Sequence, residues 1–436
     1  MKQIPTCTTL TTLEQFILSN NQIKTIPDLS DFKNLKIFFI EDNMVDSIEK
    51  NGLSSLEKLE HFNCSFNNLT EIPLLSNKSL KSLNVSFNQI DDVFQPNNWQ
   101  DFDELQDVNL QNNPFKIFDG RLFSAKNINR VMASHSPIND IQNIPSNSSI
   151  EKICFTKCEL SYIPPQFFRY KKLNWLSLAN NYINSIPDNI NHTSIEYLDL
   201  SHNNLNFLPQ DIGYNEFLTY LLLSHNKFTQ FPTIVALNII PDHKTFEIID
   251  LSFNFISSIP TDPLKHVTVN KLFLNNNLLT NVENLPANIP LISLAYNKIL
   301  GNFSHLNCSS YLDLSYNALS GTDIEIVGGG FVDLKQNTGL KIDTSNLIPA
   351  KPTNYYTDNT TSSYKCSSFY YTSFVTPIET ATYRVELDPS SVDYLTCECS
   401  GKIFSNFFLQ KSNHLPIKTV FGESRLINAN LVRTIF

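Results

Sequence analysis

Apolar side chains recur along most of this chain in a single frame. Residues 13–23 read LEQFILSNNQI, apolar at positions one, four, six and eleven, with asparagine at position nine. The frame returns at 59–69 (LEHFNCSFNNL), 173–183 (LNWLSLANNYI), 195–205 (IEYLDLSHNNL) and 218–228 (LTYLLLSHNKF). In all, fifteen copies can be placed, with position nine at Asn21, Asn43, Asn67, Asn88, Asn113, Ser136, Cys158, Asn181, Asn203, Asn226, Asn254, Asn277, Asn297, Asn317 and Asn337. The apolar slots fail only at Ser309, Gly329 and Gly339. Positions four to six alternate with period two, so each copy predicts a short strand with one apolar face. A period of 20 to 28 residues predicts a solenoid in which each strand pairs with that of the next copy.

This frame resembles the leucine-rich repeat superfamily over about residues 10–340. The resemblance implies an α/β-type solenoid, a right-handed horseshoe with a parallel β-sheet on its concave face. The position-nine asparagine offers both donors and an acceptor, so its amides are expected to stack as a ladder satisfying turn backbone. Ser136 and Cys158 interrupt it and mark its expected weakest stretch. The domain reading is a short lead at 1–9, about fifteen repeats over 10–340, and a cysteine-containing tail at 341–436 with short strands around 383–387.

After the motif, many copies run into a hydrophobic residue and proline, as at Ile72-Pro73, Ile163-Pro164, Ile186-Pro187 and Ile259-Pro260. Proline fixes its own φ and pushes its predecessor towards extended backbone. The convex return path is therefore expected to be extended or 3-10, without long helices. Two enlarged copies, around 94–105 and 232–246, are expected to shed their extra residues as loops.

Composition narrows the function classes. The net charge is -10 and no run of Lys and Arg could neutralise successive phosphates, which argues against nucleic acid. No stretch approaches the ~20 apolar residues of a membrane span, and the first ten residues lack the apolar core of a signal peptide. HExxH, GxxxxGK[ST] and GxSxG are all missing, so the chain is expected to be no enzyme and to need no cofactor or metal. Nine Asn-x-Ser/Thr sequons match what chance gives in a chain with about 12% asparagine, so they carry no weight for secretion.

Positions three, five, seven and eight of each copy are assigned to the concave face. Position three is mostly polar in the first half and then runs through Trp175, Tyr197, Tyr220, Tyr311 and Phe331. Neighbouring strands lie ~4.8 Å apart, so Trp175, Tyr197 and Tyr220 are expected to form a strip, with His202 and His225 beside it at position eight. These seven residues are the candidate site for a protein or glycan ligand. The alternative is that adjacent aromatics pack on one another. Asp199, Asp250, Asp313 and Asp333 recur at position five, where a solvated or turn-supporting role is expected over a metal or catalytic one.

Cys64 falls in an inward slot, Cys158 in the ladder slot and Cys154 on the concave side. The tail stretch LDPSSVDYLTCECSGKIF resembles the cysteine-containing module of cell-surface leucine-rich repeat proteins of social amoebae. That resemblance implies a disulfide from Cys366 to Cys397 or Cys399 and an oxidising compartment. The leading expectation is a non-catalytic recognition protein, extracellular or at the cell surface if a leader precedes Met1 and cytoplasmic otherwise. Its rival is an intracellular scaffold or regulator of a signalling enzyme.

Overall fold

The computed structural model describes residues 1–4, 12–49, 52–75, 78–91, 99–236, 244–300, 306, 311–321, 331–340 and 354–356. Its centre is a parallel sheet of sixteen strands in chain order. Each repeat contributes one strand, from Gln15–Ile17 onward, and the strands pair position for position. Trp175, for instance, lies opposite Tyr197, and Tyr197 opposite Tyr220.

Inside the coil the apolar slots are sealed: Leu173, Leu176, Leu178 and Ile183 are fully buried, as are their counterparts in neighbouring copies. Each repeat alone exposes an apolar face, so stacking is what builds the core. Among the described residues the convex side has no α-helix. It holds five short 3-10 segments, including Phe167–Arg169 and Ile212–Tyr214, and three two-stranded parallel pairs, such as Ile117–Asp119 with Asp140–Gln142.

The asparagine ladder is continuous on either side of its predicted break. Asn203 Nδ2 donates to the carbonyl of Leu178 in the preceding repeat (3.0 Å) and to those of Leu200 and Ser201 in its own. Its Oδ1 accepts the N–H of Ile183 at 2.9 Å. Four backbone groups are thus satisfied by one side chain. At the break, Ser136 Oγ accepts the Asn113 N–H at 3.2 Å, and the Cys158 thiol points at the Ala133 carbonyl across 3.5 Å. Ser149 and Ser148 add hydroxyl bonds to carbonyls of the copy before them.

One expectation changes. The sheet gains a strand at Asn354–Tyr356, paired in parallel with Phe331–Asp333, beyond the expected boundary at residue 340. In the two enlarged copies, residues 92–98 and 237–243, where loops are expected, lie outside the described residues. Trp99 and Phe102 turn back into the core, and Lys244–Asp250 and Val267–Phe273 lengthen to seven residues each, pairing from Lys244 to Val267 onward. Burial of apolar side chains and the longer ladder hold these flanking segments on the coil. The Lys244 ammonium is buried with them, donates to the Glu216 and Leu218 carbonyls, and is pulled down by burial to a pKa of about 8. Ser309, Gly329, Cys308 and the tail, with Cys366, Cys397, Cys399 and the 383–387 stretch, lie outside the described residues.

Glycine is scarce, and Gly213 shows why one is retained. A Cβ there would sit 2.4 Å from the Val235 carbonyl oxygen of the next repeat. Gly213→Ala should therefore destabilise by roughly 1–3 kcal/mol through overpacking against backbone, read as a lower midpoint in urea.

Candidate functional site

The concave sheet face collects the expected site residues, because position three of each strand falls in register with its neighbours. The geometry within that row differs from an open aromatic platform. Trp175 and Tyr197 stack with ring centroids 3.6 Å apart and planes 7° apart, and are only 8% and 6% exposed. Their π-faces cover each other, which is the packing alternative. Tyr220 follows at 6.0 Å with its ring turned by 40° and remains half-buried. Tyr311 is half-buried, and burial with the neighbouring Asp313 and Asp333 carboxylates pushes its phenol above the ordinary range. Phe331 keeps the register opposite Tyr311, but its side chain is outside the described residues.

His202 and His225 also stack, at 3.9 Å and 11°, and the column continues to Phe253 at 4.2 Å. All three occupy position eight with φ near +54°, the left-handed region. Every repeat turns there, which puts bulky side chains in a conformation that asparagine tolerates better. The same slot stacks Phe66 on Phe87 and Tyr296 on Tyr316. Sequence reasoning singled out the histidines and passed over these aromatics, although their alignment in the frame was the available signal.

The cations at the start of the row were passed over too. Arg130 and Lys152 occupy position three on the two strands before Trp175. Arg130 Nε meets Asp107 Oδ1 at 2.9 Å, and Lys271 further along meets Glu247 at 2.7 Å. The order along the floor is therefore acid, two cations, stacked aromatics, then mixed apolar groups and a paired lysine.

The position-five aspartates are turn supports, as expected; Asp199, Asp250 and Asp333 are buried and Asp313 is half-buried. Asp199 is fully buried, its Oδ1 accepting the Ser201 N–H (3.0 Å) and hydroxyl (2.8 Å). Asp313 repeats this with Ser315, and Asp250 and Asp333 accept the N–H two residues on. Flanking strands crowd the position and exclude water. Burial raises Asp250, and burial with the adjacent Asp333 raises Asp313 to about 6. Among the described residues no cluster of His, Cys, Asp and Glu is placed to hold a metal ion. Cys64, Cys154 and Cys158 are buried thiols, and the sequon asparagines Asn63 and Asn84 lie buried in the floor.

Tyr197 tests the packed reading. Tyr197→Ala should cost about 3 kcal/mol, the lower end for a buried aromatic, and should red-shift Trp175 fluorescence by opening its ring to water.

A coil of short repeats, one parallel strand each, closed by an asparagine ladder, defines a class of repeat scaffold. A family described as leucine rich repeats (2 copies) matches residues 57–98, and one described as leucine rich repeat matches 171–228. Both matched stretches are leucine-rich repeats, and the same frame and strand pairing run through the copies around them. It is 29% identical to lumican of Coturnix japonica over 202 residues, 39% of this chain and 58% of lumican. It is 31% identical to nephrocan of Mus musculus over 109 residues, 24% of this chain and 21% of nephrocan. The chain thus spans less than two thirds of the length of these relatives. Among solved structures, an internalin of Listeria monocytogenes shares the fold with a TM-score of 0.53 at 19% identity, over 67% of this chain and 83% of the internalin. The Arabidopsis receptor kinase HAESA, solved with the peptide hormone IDA and the co-receptor SERK1, gives 0.52 at 20% identity, over 78% of this chain and 64% of HAESA. Among the described residues no helix is long and apolar enough to cross a membrane.

Proposed function

We propose that this chain is a non-catalytic recognition protein that binds a protein ligand across the concave face, between Arg130 and Tyr311. One observation carries the reading: the in-register row of position-three side chains, in which Arg130, Lys152, Tyr220, Leu291 and Tyr311 are all half-buried. Half-buried aromatic and cationic groups on a rigid sheet are suited to anchoring a partner at low entropic cost. A glycan is the weaker fit, because sugar stacking needs a free π-face and Trp175 and Tyr197 spend theirs on each other. The floor aspartates are engaged by turn amides and serine hydroxyls, an arrangement that fits support rather than proton transfer. HAESA, which shares the fold, was solved in complex with a peptide hormone, a ligand of the proposed kind.

The test is photo-crosslinking in an extract of the cells that make the protein. A benzophenone amino acid replaces Tyr220, or, as control, the exposed Phe207, which lies outside the strand row. A discrete protein adduct at 220 that is missing at 207 is the expected result. Equal labelling at both positions, or a carbohydrate adduct at 220, overturns the reading.

A further inference from the structure

The turns that leave the sheet carry a second surface, apart from the floor. In four consecutive repeats, position ten reads Lys227, Phe255, Leu278 and Lys298, while position eight carries Phe253 and Tyr296. The strands beneath pair in register, so these side chains follow one another along the rim at the strand spacing of ~4.8 Å. Phe253, Phe255, Leu278 and Tyr296 are 41%, 55%, 37% and 50% exposed. Scattered exposed hydrophobics need no explanation, but four on adjacent turns of a rigid edge form a contiguous patch.

Charge then selects the partner. A lysine closes the patch at each end, and neither Lys227 nor Lys298 is in an ion pair among the described residues. The turn segments 224–229, 252–258, 275–281 and 295–300 hold no Asp or Glu, in a chain where acids outnumber bases 42 to 32. We infer that this rim docks an acidic protein segment, whose apolar side chains seat on Phe253, Phe255, Leu278 and Tyr296 while its carboxylates meet Lys227 and Lys298. The two lysines span three strand spacings, roughly 14 Å, which matches four or five residues of extended peptide. An anionic membrane fits less well. Two lysines supply only ~2 kcal/mol of attraction, and the position-eight ring is held in a stack with His225 rather than projecting as an insertable wedge.

The repeat itself supplies a variant that keeps the fold. Position eight is asparagine in other copies, at Asn20, Asn112, Asn180 and Asn276, and position ten is asparagine at Asn68 and Asn204. Phe253→Asn with Phe255→Asn therefore uses residues the turn already accepts. Random 12-residue peptides displayed on phage are selected on the full chain and counter-selected on this variant. Recovered peptides should place at least two carboxylates beside an aromatic or leucine residue, and should bind the variant at least tenfold more weakly. A second variant, Lys227→Glu with Lys298→Glu, changes only exposed side chains and should turn the selection towards basic peptides. The inference is overturned if no peptide distinguishes wild type from either variant, or if the distinguishing peptides are basic or uncharged. It is equally overturned if the patch acts instead through self-association seen by sedimentation, or through pelleting with phosphatidylserine vesicles, in wild type and not in the asparagine variant. None of these outcomes depends on the concave face.

Discussion

Asn203→Ala will lower the stability of the solenoid by at least ~3 kcal/mol. The substitution removes three donated bonds and one accepted bond at once, and strands the Ile183 N–H in a dry turn. An unsatisfied buried donor alone costs about 1–3 kcal/mol, and the carbonyls of Leu178 and Ser201 lose a partner as well. The loss falls between repeats, because the Leu178 carbonyl and Ile183 N–H belong to the preceding copy. A solenoid transmits stability through such nearest-neighbour contacts, so hydrogen exchange should open first around residues 178–205. Cys158→Ala is the contrast. Its thiol makes long contacts of 3.5 and 3.8 Å to carbonyls, and its removal should cost about 1 kcal/mol. If the two substitutions cost the same in urea unfolding, the ladder is not what joins the repeats.

Asp313→Asn should stabilise the protein at neutral pH and not in acid. Burial first, and then the facing Asp333, raise the folded Asp313 carboxyl to about 6 despite the bonds from Ser315 and Ser293. An unfolded aspartate titrates near 3.9, so between these values the folded state holds more protons and stability falls as pH rises. The contribution is fully present below about pH 4 and is lost as pH passes through 6. Two units correspond to roughly 2–3 kcal/mol. Asparagine keeps the carbonyl that accepts the Ser315 N–H and never ionises. The variant should therefore exceed wild type by about 2 kcal/mol at pH 7.5 and match it at pH 4, as read from urea midpoints with a common slope. A gap that is constant across pH would show that Asp313 ionises without penalty in the fold.

The repeat frame was legible because it depends on local pattern: Leu176 and Leu178 must point inward if Ser177 does not, and Asn181 must follow where the strand ends. The 3-10 convex path was legible for the same reason, from the prolines after Ile163 and Ile186. Crowding was not. Alternation assigns Trp175, Tyr197 and Asp199 to the concave side but says nothing of how completely neighbours on either strand cover them. The left-handed turn at His202, His225 and Phe253 is likewise a property of the closed coil: the frame puts these residues in one slot, but only the turn geometry lays their rings face to face. The strand at Asn354–Tyr356 escaped because its segment has lost the leucine frame and is held by pairing with Phe331–Asp333. The cations Arg130 and Lys152 gained meaning only once their register beside Trp175 was visible.

In the proposed function, the concave row between Arg130 and Tyr311 holds the ligand. The most direct measurement is the affinity of the partner trapped at position 220 for a triple variant, Arg130→Gln, Lys152→Gln and Tyr220→Ser. Each change keeps a polar group at a half-buried site, so circular dichroism and the urea midpoint should match wild type. The account predicts at least a hundredfold loss, equivalent to about 2.7 kcal/mol or more, the scale of a few anchor residues. Affinity within threefold of wild type, in a variant shown to be folded, would contradict it.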